Sequence, residues 1–366
     1  MVSPDVRILG TGIVSRAAAL ALAHDGLSVA VQRRAAPAVA DLRAYALNAA
    51  SVALLARLRV WDSLPADART PVQDMRVQGD QGAEIGFSAW QQGVGALAWI
   101  VDAAALEDTL EAALRFAPRI SAQDEPAAAA LTVIAEGKAS AAREALGVRF
   151  QRHGYGHHAL AARLLSDRPH QGLARQWFRS PDVLALLPLD RPQPGCSYAL
   201  VWSQPEASAR HWREAAAAEL EAALAEATGG AAGALQLASE RATWPLSLGH
   251  ASATTGPGWV LLGDAAHVVH PLAGQGLNLG LADVASLAEV LAARESWRAL
   301  GDAALLRRHA RRRSGPNHLM AGTTDGLWQL FGHPHPLLRE LRHHGLTLVD
   351  RLPPLKRWLV DRALGA

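Results

Sequence analysis

Apolar residues recur along this chain at two different periods. Val6-Arg7-Ile8-Leu9 is a short apolar run that breaks at Gly10. From about Val14 to His24 the apolar positions follow a helix, and after Gly26 a second run extends from Leu27 to Val31. That order predicts a β-α-β unit. Ala103 to Leu114 puts Leu106, Leu110, Ala113 and Leu114 on one face of an amphipathic helix. Leu131-Thr132-Val133-Ile134 and Trp259-Val260-Leu261-Leu262 are unbroken apolar runs, as expected of buried strands, and a helix follows from Leu277 to Ala292. Between them lie strand-length segments separated by turn residues: Ala159 to Arg163, Ala174 to Phe178, Val183 to Leu189 and Tyr198 to Trp202. Trp212 to Ala227 reads as one helix with acids and alanines outside. The pattern predicts an α/β fold of two packed domains, with the strand-rich one from about Gly147 to Trp244.

Composition narrows the class of protein. With 366 residues, half of them hydrophobic, and a formal net charge of +2, the chain can bury a large core. No dense Lys/Arg tract is interleaved with aromatics, so nucleic acid is not an expected partner. Arg311-Arg312-Arg313 is expected on a solvated helix face. The single cysteine, Cys196, excludes an intramolecular disulfide and a cysteine metal cluster. No apolar run reaches the roughly 18 residues of a membrane span, and the amino terminus lacks a signal-peptide pattern. The expected location is cytoplasmic. His157-His158 and His343-His344 lack matching carboxylates, and His267 and His270 sit in a glycine-rich segment, so these histidines are expected to be satisfied by hydrogen bonds and no metal site is expected.

The candidate chemistry concentrates in Gly263-Asp264-Ala265-Ala266-His267-Val268-Val269-His270-Pro271-Leu272-Ala273-Gly274-Gln275-Gly276-Leu277-Asn278-Leu279-Gly280. An acid at the end of a strand accepts hydrogen bonds from hydroxyls. Gly274 and Gly276 let backbone amides approach a ligand, and the amino end of the following helix attracts negative charge. Near the amino terminus, Gly10-Thr11-Gly12-Ile13-Val14-Ser15 falls at the strand-to-helix turn of the β-α-β unit, where such glycines admit a pyrophosphate.

The long segment resembles the second flavin fingerprint of class A flavoprotein monooxygenases, the p-hydroxybenzoate hydroxylase-like group. Its His-Pro-Leu-Ala-Gly-Gln-Gly-Leu-Asn-Leu-Gly wording is similar to the ubiquinone-biosynthesis hydroxylase branch. Asp41 to Ser51 resembles the segment whose arginine, here Arg43, lies along the cofactor. Ala135 to Arg143 resembles the central Asp-Gly motif, with Glu136 in place of the Asp before Gly137. The resemblance implies a Rossmann-like FAD-binding domain from 1–146 and 245–300, an interleaved and mainly antiparallel substrate domain at 147–244, and a helical region at 301–366. It implies FAD as cofactor and NAD(P)H as reductant, with one oxygen atom of O2 transferred to an aromatic ring, here that of a polyprenyl-phenol intermediate of ubiquinone biosynthesis. The implied cofactor contacts are Gly10, Gly12, Ser15, Gln32, Arg43, Glu136, Gly137, Gly263, Asp264, Pro271, Gly274, Gly276, Leu277 and Asn278. No acid-base side chain is assigned. His270, Pro271, Gly274 and Gln275 form the implied loop beside the flavin, and Trp177, Trp202, Pro188 and Leu189 are expected to wall the substrate.

Four departures support an alternative, a flavin-poor relative serving as an accessory or binding subunit. Ser15 replaces the third glycine, and Gln32, followed by Arg33 and Arg34, replaces the acid that binds the adenosine ribose. Ala103-Ala104-Ala105 stands where a polar flavin contact is usual, and between Leu114 and Leu131 there is room for one strand instead of a meander. The tail, with helical segments Leu337 to His344, Leu346 to Leu352 and Leu355 to Leu364, carries apolar stripes beside Arg351, Lys356, Arg357 and Arg362. It is open to docking on its own cofactor domain, on a partner subunit, or peripherally at the inner face of a membrane.

Overall fold

The computed structural model describes residues 3–33, 41–79, 84–269 and 275–332. Arg34, His270, Pro271, Gly274 and the tail segments beyond 332 lie outside the described residues. Elements are numbered in chain order.

The β-α-β unit expected at the amino terminus is present as β1 (Val6–Leu9), α1 (Ile13–His24) and β2 (Val29–Gln32). It belongs to a six-stranded sheet ordered β16 (Thr255–Gly256), β17 (Trp259–Leu261), β9 (Leu131–Ile134), β1, β2 and β8 (Ile120–Gln123). Every pairing except β16–β17 is parallel. The unbroken apolar runs follow from this, because a parallel strand covered on both faces has no solvent side for a polar residue. Leu131, Val133, Val260 and Leu262 are buried in one core with Ala17 and Ala21 of α1, Leu106 and Leu110 of α4 (Ala103–Phe116), and Val284 and Leu287 of α8 (Gln275–Ala292). Only β8 stands between α4 and β9, the single strand expected there in place of a meander. α9 (Ala303–Gly332) packs on α8 and buries Leu305 and Leu306 in the same core.

The nine-stranded sheet is ordered β18 (His267–Val268), β15 (Ala242–Ala251), β10 (Phe150–Ser166), β13 (Ser197–Pro205), β12 (Asp182–Leu189), β11 (Leu173–Arg179), β5 (Asp74–Gln78) and β6 (Glu84–Ser88), with β14 (Leu235–Leu237) paired to β10. The sheet thus reaches beyond 147–244. β5 joins β11 in parallel from the amino-terminal half, and β18 arrives from the second fingerprint. A three-stranded antiparallel sheet, β3 (Ala44–Leu47), β7 (Ala98–Asp102) and β4 (Arg69–Val72), lies at the junction of the two layers. The described residues also form three short α-helices, α2 (Ala49–Arg57), α3 (Ala89–Gln92) and α5 (Ala141–Ala145).

The helix expected from Trp212 to Ala227 is two helices, α6 (Glu206–Glu214) and α7 (Ala217–Thr228). Ala215 and Ala216 are extended between them, and Arg241 Nη1 donates to the carbonyls of Trp212 (2.8 Å) and Ala215 (2.7 Å). An arginine that takes the last carbonyls of a helix stabilises its end, and no alanine pattern announces it.

One ion pair ties the sheet of β10 to the cofactor half. Arg163 on β10 donates from Nη2 to Asp102 Oδ2 at 2.8 Å and to the Arg43 carbonyl at 2.9 Å, and its side chain is 8% exposed. Asp102 also caps α4, accepting from Ala105 N at 2.9 Å. Removing one partner of a buried pair leaves the other charge uncompensated. Asp102→Ala is therefore expected to destabilise the chain by about 3–5 kcal/mol, measured as a lower denaturant midpoint, whereas the exposed Arg210–Glu206 pair should be dispensable.

Candidate functional site

Three turns at the carboxyl ends of β1, β9 and β17 converge. The first is Gly10–Gly12. Gly10 has a φ of +121°, and a Cβ there would lie 2.2 Å from the Ala135 carbonyl oxygen, so the turn needs glycine twice over. A Cβ at Gly12 would meet nothing within 4 Å, which leaves open space before the first turn of α1. Ser15 is fully buried and donates to the Gly12 carbonyl at 2.7 Å. It fills the helix-packing position with a small side chain committed to its own turn. Gln32 accepts from Gly10 N through Oε1 at 2.9 Å, so part of its hydrogen-bonding capacity is taken by the protein, and its NH2 group and one lone pair of Oε1 are left for a ribose hydroxyl.

The second turn follows β9. Glu136 Oε2 accepts from Ser140 Oγ at 2.7 Å and from Ala142 N at 2.9 Å, so the longer acid caps α5. Gly137 is left-handed, with φ +79°. Arg143, 3% exposed, lies 4.3 Å from the Phe150 ring centroid and donates to the Lys138 carbonyl (3.2 Å) and the Ala265 carbonyl (3.1 Å). It fastens the second turn to the third.

That third turn is Gly263 to His267. Asp264 is half-buried, and no donor among the described residues bonds its carboxylate. Burial pushes its carboxyl up, against the opposing pull of Lys138, His267 and Arg43. Arg43 itself is bound to both oxygens of Asp41 and lies over the Tyr45 ring. The helix after the loop, α8, starts at Gln275, so Gly276, Leu277 and Asn278 occupy its first turn, where the amides lack intrahelical acceptors. A Cβ at Gly276 would meet nothing within 4 Å. The Asn278 side chain is engaged in the fold. Its Oδ1 accepts from Ser51 Oγ (2.7 Å) and Asn48 N (3.1 Å), and its Nδ2 donates to the Ala46 carbonyl (2.8 Å).

The structure brings the glycines, Gln32, Arg43, Glu136, Asp264 and the start of α8 to one edge of the parallel sheet. It does not bring the four expected substrate residues together. Trp177 and Trp202 pack with Leu220 and Leu224 in the core beneath α7, and Pro188 pairs with Tyr198 of that same core. Leu189 lies on the opposite face with Val72, Ile100 and Ala174. Adjacent strand residues point to opposite faces, so Pro188 and Leu189 cannot share a wall.

Pattern alone also missed the buried polar residues. Asp283 interrupts an apolar helix face and accepts from His267 Nε2 (2.6 Å), Gly263 N (3.1 Å) and Arg313 Nε (2.7 Å). Arg313 is therefore not on a solvated face. Burial alone would raise the Asp283 carboxyl, but His267 and Arg313 hold it well below the usual carboxylate range. Burial opposes charge on His267, yet Asp283 raises its imidazole above the ordinary value. His309, whose Nδ1 lies 3.2 Å from Ser286 Oγ, is pushed down to about 4 by burial, with Asp283 opposing and Arg313, His267 and Arg312 adding to the fall. Among the described residues no group of three or more His, Cys, Asp or Glu could hold a metal ion.

A bare glycine turn, a capped acid-glycine turn and a half-buried acid below a helix start together define a dinucleotide-binding α/β protein. Residues 104–322 match the FAD binding domain family. The 3-demethoxyubiquinol 3-hydroxylase of Escherichia coli (strain K12) is 31% identical over 99% of this chain and 98% of its own length. The ubiquinone hydroxylase UbiL of Rhodospirillum rubrum is 32% identical over 99% of this chain and 89% of its own. The chain belongs to the FAD-dependent monooxygenases of the p-hydroxybenzoate hydroxylase type, in the branch of the ubiquinone-biosynthesis hydroxylases. In fold it is similar to the p-nitrophenol 4-monooxygenase PnpA of Pseudomonas putida DLL-E4 (TM-score 0.76, 17% identity, 99% of this chain and 98% of that one). It is also similar to PqsL of P. aeruginosa in complex with 2-aminobenzoylacetate (TM-score 0.78, 20% identity, 94% of this chain and 100% of that one).

His309 gives a pH test. Its folded value lies below its unfolded one, so its neutral form contributes stability that is present above about 6.5 and is lost as pH falls from there toward about 4. His309→Gln should flatten the fall of melting temperature across that window, with a residual slope from His170, which burial also lowers.

Proposed function

We propose that this protein hydroxylates the aromatic ring of a polyprenyl-phenol intermediate of ubiquinone biosynthesis, using FAD, NAD(P)H and O2. Asp264 carries the proposal. It is an acid at the end of a buried strand with no donor of its own among the described residues, placed at the start of the turn that leads to α8. The residues fit the cofactor. Asp264 would accept from a ribityl hydroxyl, Gly10 and Gly12 would admit the pyrophosphate before α1, and the first-turn amides of α8 would face the flavin ring. Bound FAD supplies electron transfer from NAD(P)H and activation of oxygen. The chain's own contribution is to hold and orient these groups and to exclude water. The α8 amides and helix dipole favour negative charge at that end of the site, and the sheet of β10 roofs it.

The substrate wall we assign is the face of that sheet opposite α7. Arg163, Ala161 and Ala159 share this face by alternation along β10, and the register places Val201 opposite Ala161, Ser203 opposite Ala159, and Ala185 opposite Val201. Beside Trp244, which pairs with Ala159, the small side chains of Ala159, Ala161, Ala185 and Ser203 leave room on this face, and Ser203 Oγ is buried with no hydrogen-bond partner among the described residues.

The alternative, an accessory subunit with little flavin, is favoured by the commitment of Gln32 Oε1 to Gly10 and by apolar Ala103 to Ala105. Neutral Gln lacks the charge assistance that roughly doubles a hydrogen bond to a hydroxyl. Colour and melting decide between the two. The proposal expects a yellow protein whose melting temperature rises with added FAD, and Asp264→Ala should retain at least about tenfold less FAD. A colourless chain that FAD does not stabilise assigns the accessory role. Val201→Trp should abolish substrate-stimulated NAD(P)H oxidation while FAD remains bound, whereas Trp177→Leu should lower the melting temperature and leave KM unchanged.

A further inference from the structure

We propose that Asp283, His267 and Arg313 are positioning residues for the flavin-binding turn, a clamp that makes the grip of Asp264 on the cofactor depend on helix α9. The inference rests on the FAD reading above and assigns a cofactor role to groups that act through Asp264.

Asp283 is 2% exposed. Its Oδ2 accepts from Gly263 N at 3.1 Å and from His267 Nε2 at 2.6 Å. These two donors belong to one turn, and Asp264 lies between them. A single carboxylate oxygen on α8 therefore fixes both ends of the segment that carries the ligand acid. The other oxygen, Oδ1, accepts from Arg313 Nε at 2.7 Å. Arg313 comes from α9 and is oriented by two further acceptors, Asn317 Oδ1 at 2.8 Å and the Leu279 carbonyl at 3.3 Å. The path from α9 to Asp264 is thus a chain of charge-assisted hydrogen bonds, the shorter and stronger kind.

Fold stability alone does not account for this arrangement. No donor among the described residues bonds the Asp264 carboxylate, so the backbone on either side is what these residues offer to position it. A ligand acid displaced by even a fraction of an ångström loses geometry with its hydroxyl, and supporting residues of this kind commonly change affinity 10- to 100-fold when removed. Within the clamp, burial disfavours the charged form of His267 beside Asp264, while Asp283 favours it and outweighs burial. The groups facing His267 are Asp283 from α8, Arg313 and His309 from α9, and Asp264 from its own turn, while Lys138 and Arg43 add positive charge near Asp264 from other elements.

The test uses the full chain. FAD affinity is read by quenching of flavin fluorescence, and folding by melting of the cofactor-free protein. Arg313→Met should weaken FAD binding by about tenfold or more. Asn317→Ala keeps the Asp283–Arg313 pair but frees the guanidinium, and should weaken binding about two- to fivefold with the melting temperature of the cofactor-free protein unchanged. In an Asp264→Ala background neither change should matter by more than about twofold, because the positioned group is gone. Unchanged FAD affinity in both variants, or an undiminished effect in the Asp264→Ala background, overturns the clamp while leaving the cofactor reading intact. Should Arg313→Met not fold, Asn317→Ala carries the same comparison alone. Absence of FAD binding by the unsubstituted chain overturns the cofactor reading and the clamp together.

Discussion

Gly263 and Gly280 face each other across Val14. A Cβ at Gly280 would lie 2.7 Å from Val14 Cγ2 and 3.4 Å from the Gly263 Cα. Three remote pieces of the chain meet here: the first turn of α1, the turn after β17, and α8. Backbone approach this close is open only to residues without side chains, and it brings the two glycine-rich segments into one site. The neighbouring contacts rest on it. Gly263 can donate to Asp283 only if α8 lies this near, and Asn278 reaches Ser51 and the Ala46 carbonyl only from the same helix position.

The two layers are joined by different means. Between the parallel sheet and its helices the contact is apolar, through alanines and leucines. Between the cofactor half and the large sheet it includes a buried charge pair, Arg163 with Asp102, whose aspartate also starts α4. An apolar seam tolerates sliding, whereas a charge pair with a capping duty fixes register and angle. The large sheet is therefore held at a set orientation to the cofactor half.

Much of this was legible in the sequence because it depends on local order. The β-α-β unit, the buried runs of β9 and β17 and the amphipathic α4 are set by the residues within them. Gly10 and Gly263 were readable because their backbone demands show as glycine at strand ends. What escaped is what the third dimension decides. β5 joins the large sheet through β11, roughly a hundred positions away, and carries its hairpin partner β6 with it; nothing in Asp74 to Ser88 names β11. Trp177 and Trp202 sit at strand spacing, but spacing gives alternation without telling which face is which. Asp283 and Arg163 were visible as charges in apolar surroundings, a signal of burial with a partner, yet their partners lie on other elements. Gln32 is marked by its position at the end of β2, but its bond to Gly10 depends on how the turn after β1 folds against it.

That bond shapes how a long ligand would leave. On the proposed reading, a dinucleotide spanning the site would have two anchors of unequal strength, an acid at Asp264 and a neutral amide at Gln32, whose oxygen already accepts from Gly10 N. The weaker end would let go first. The stronger end would then act as a tether, keeping the freed adenosine at high effective concentration, so most partial departures would end in return. Exchange with the surrounding pool would require both anchors to open in sequence, with the turn at Asp264 setting the lifetime and the Gln32 end setting how often departure begins.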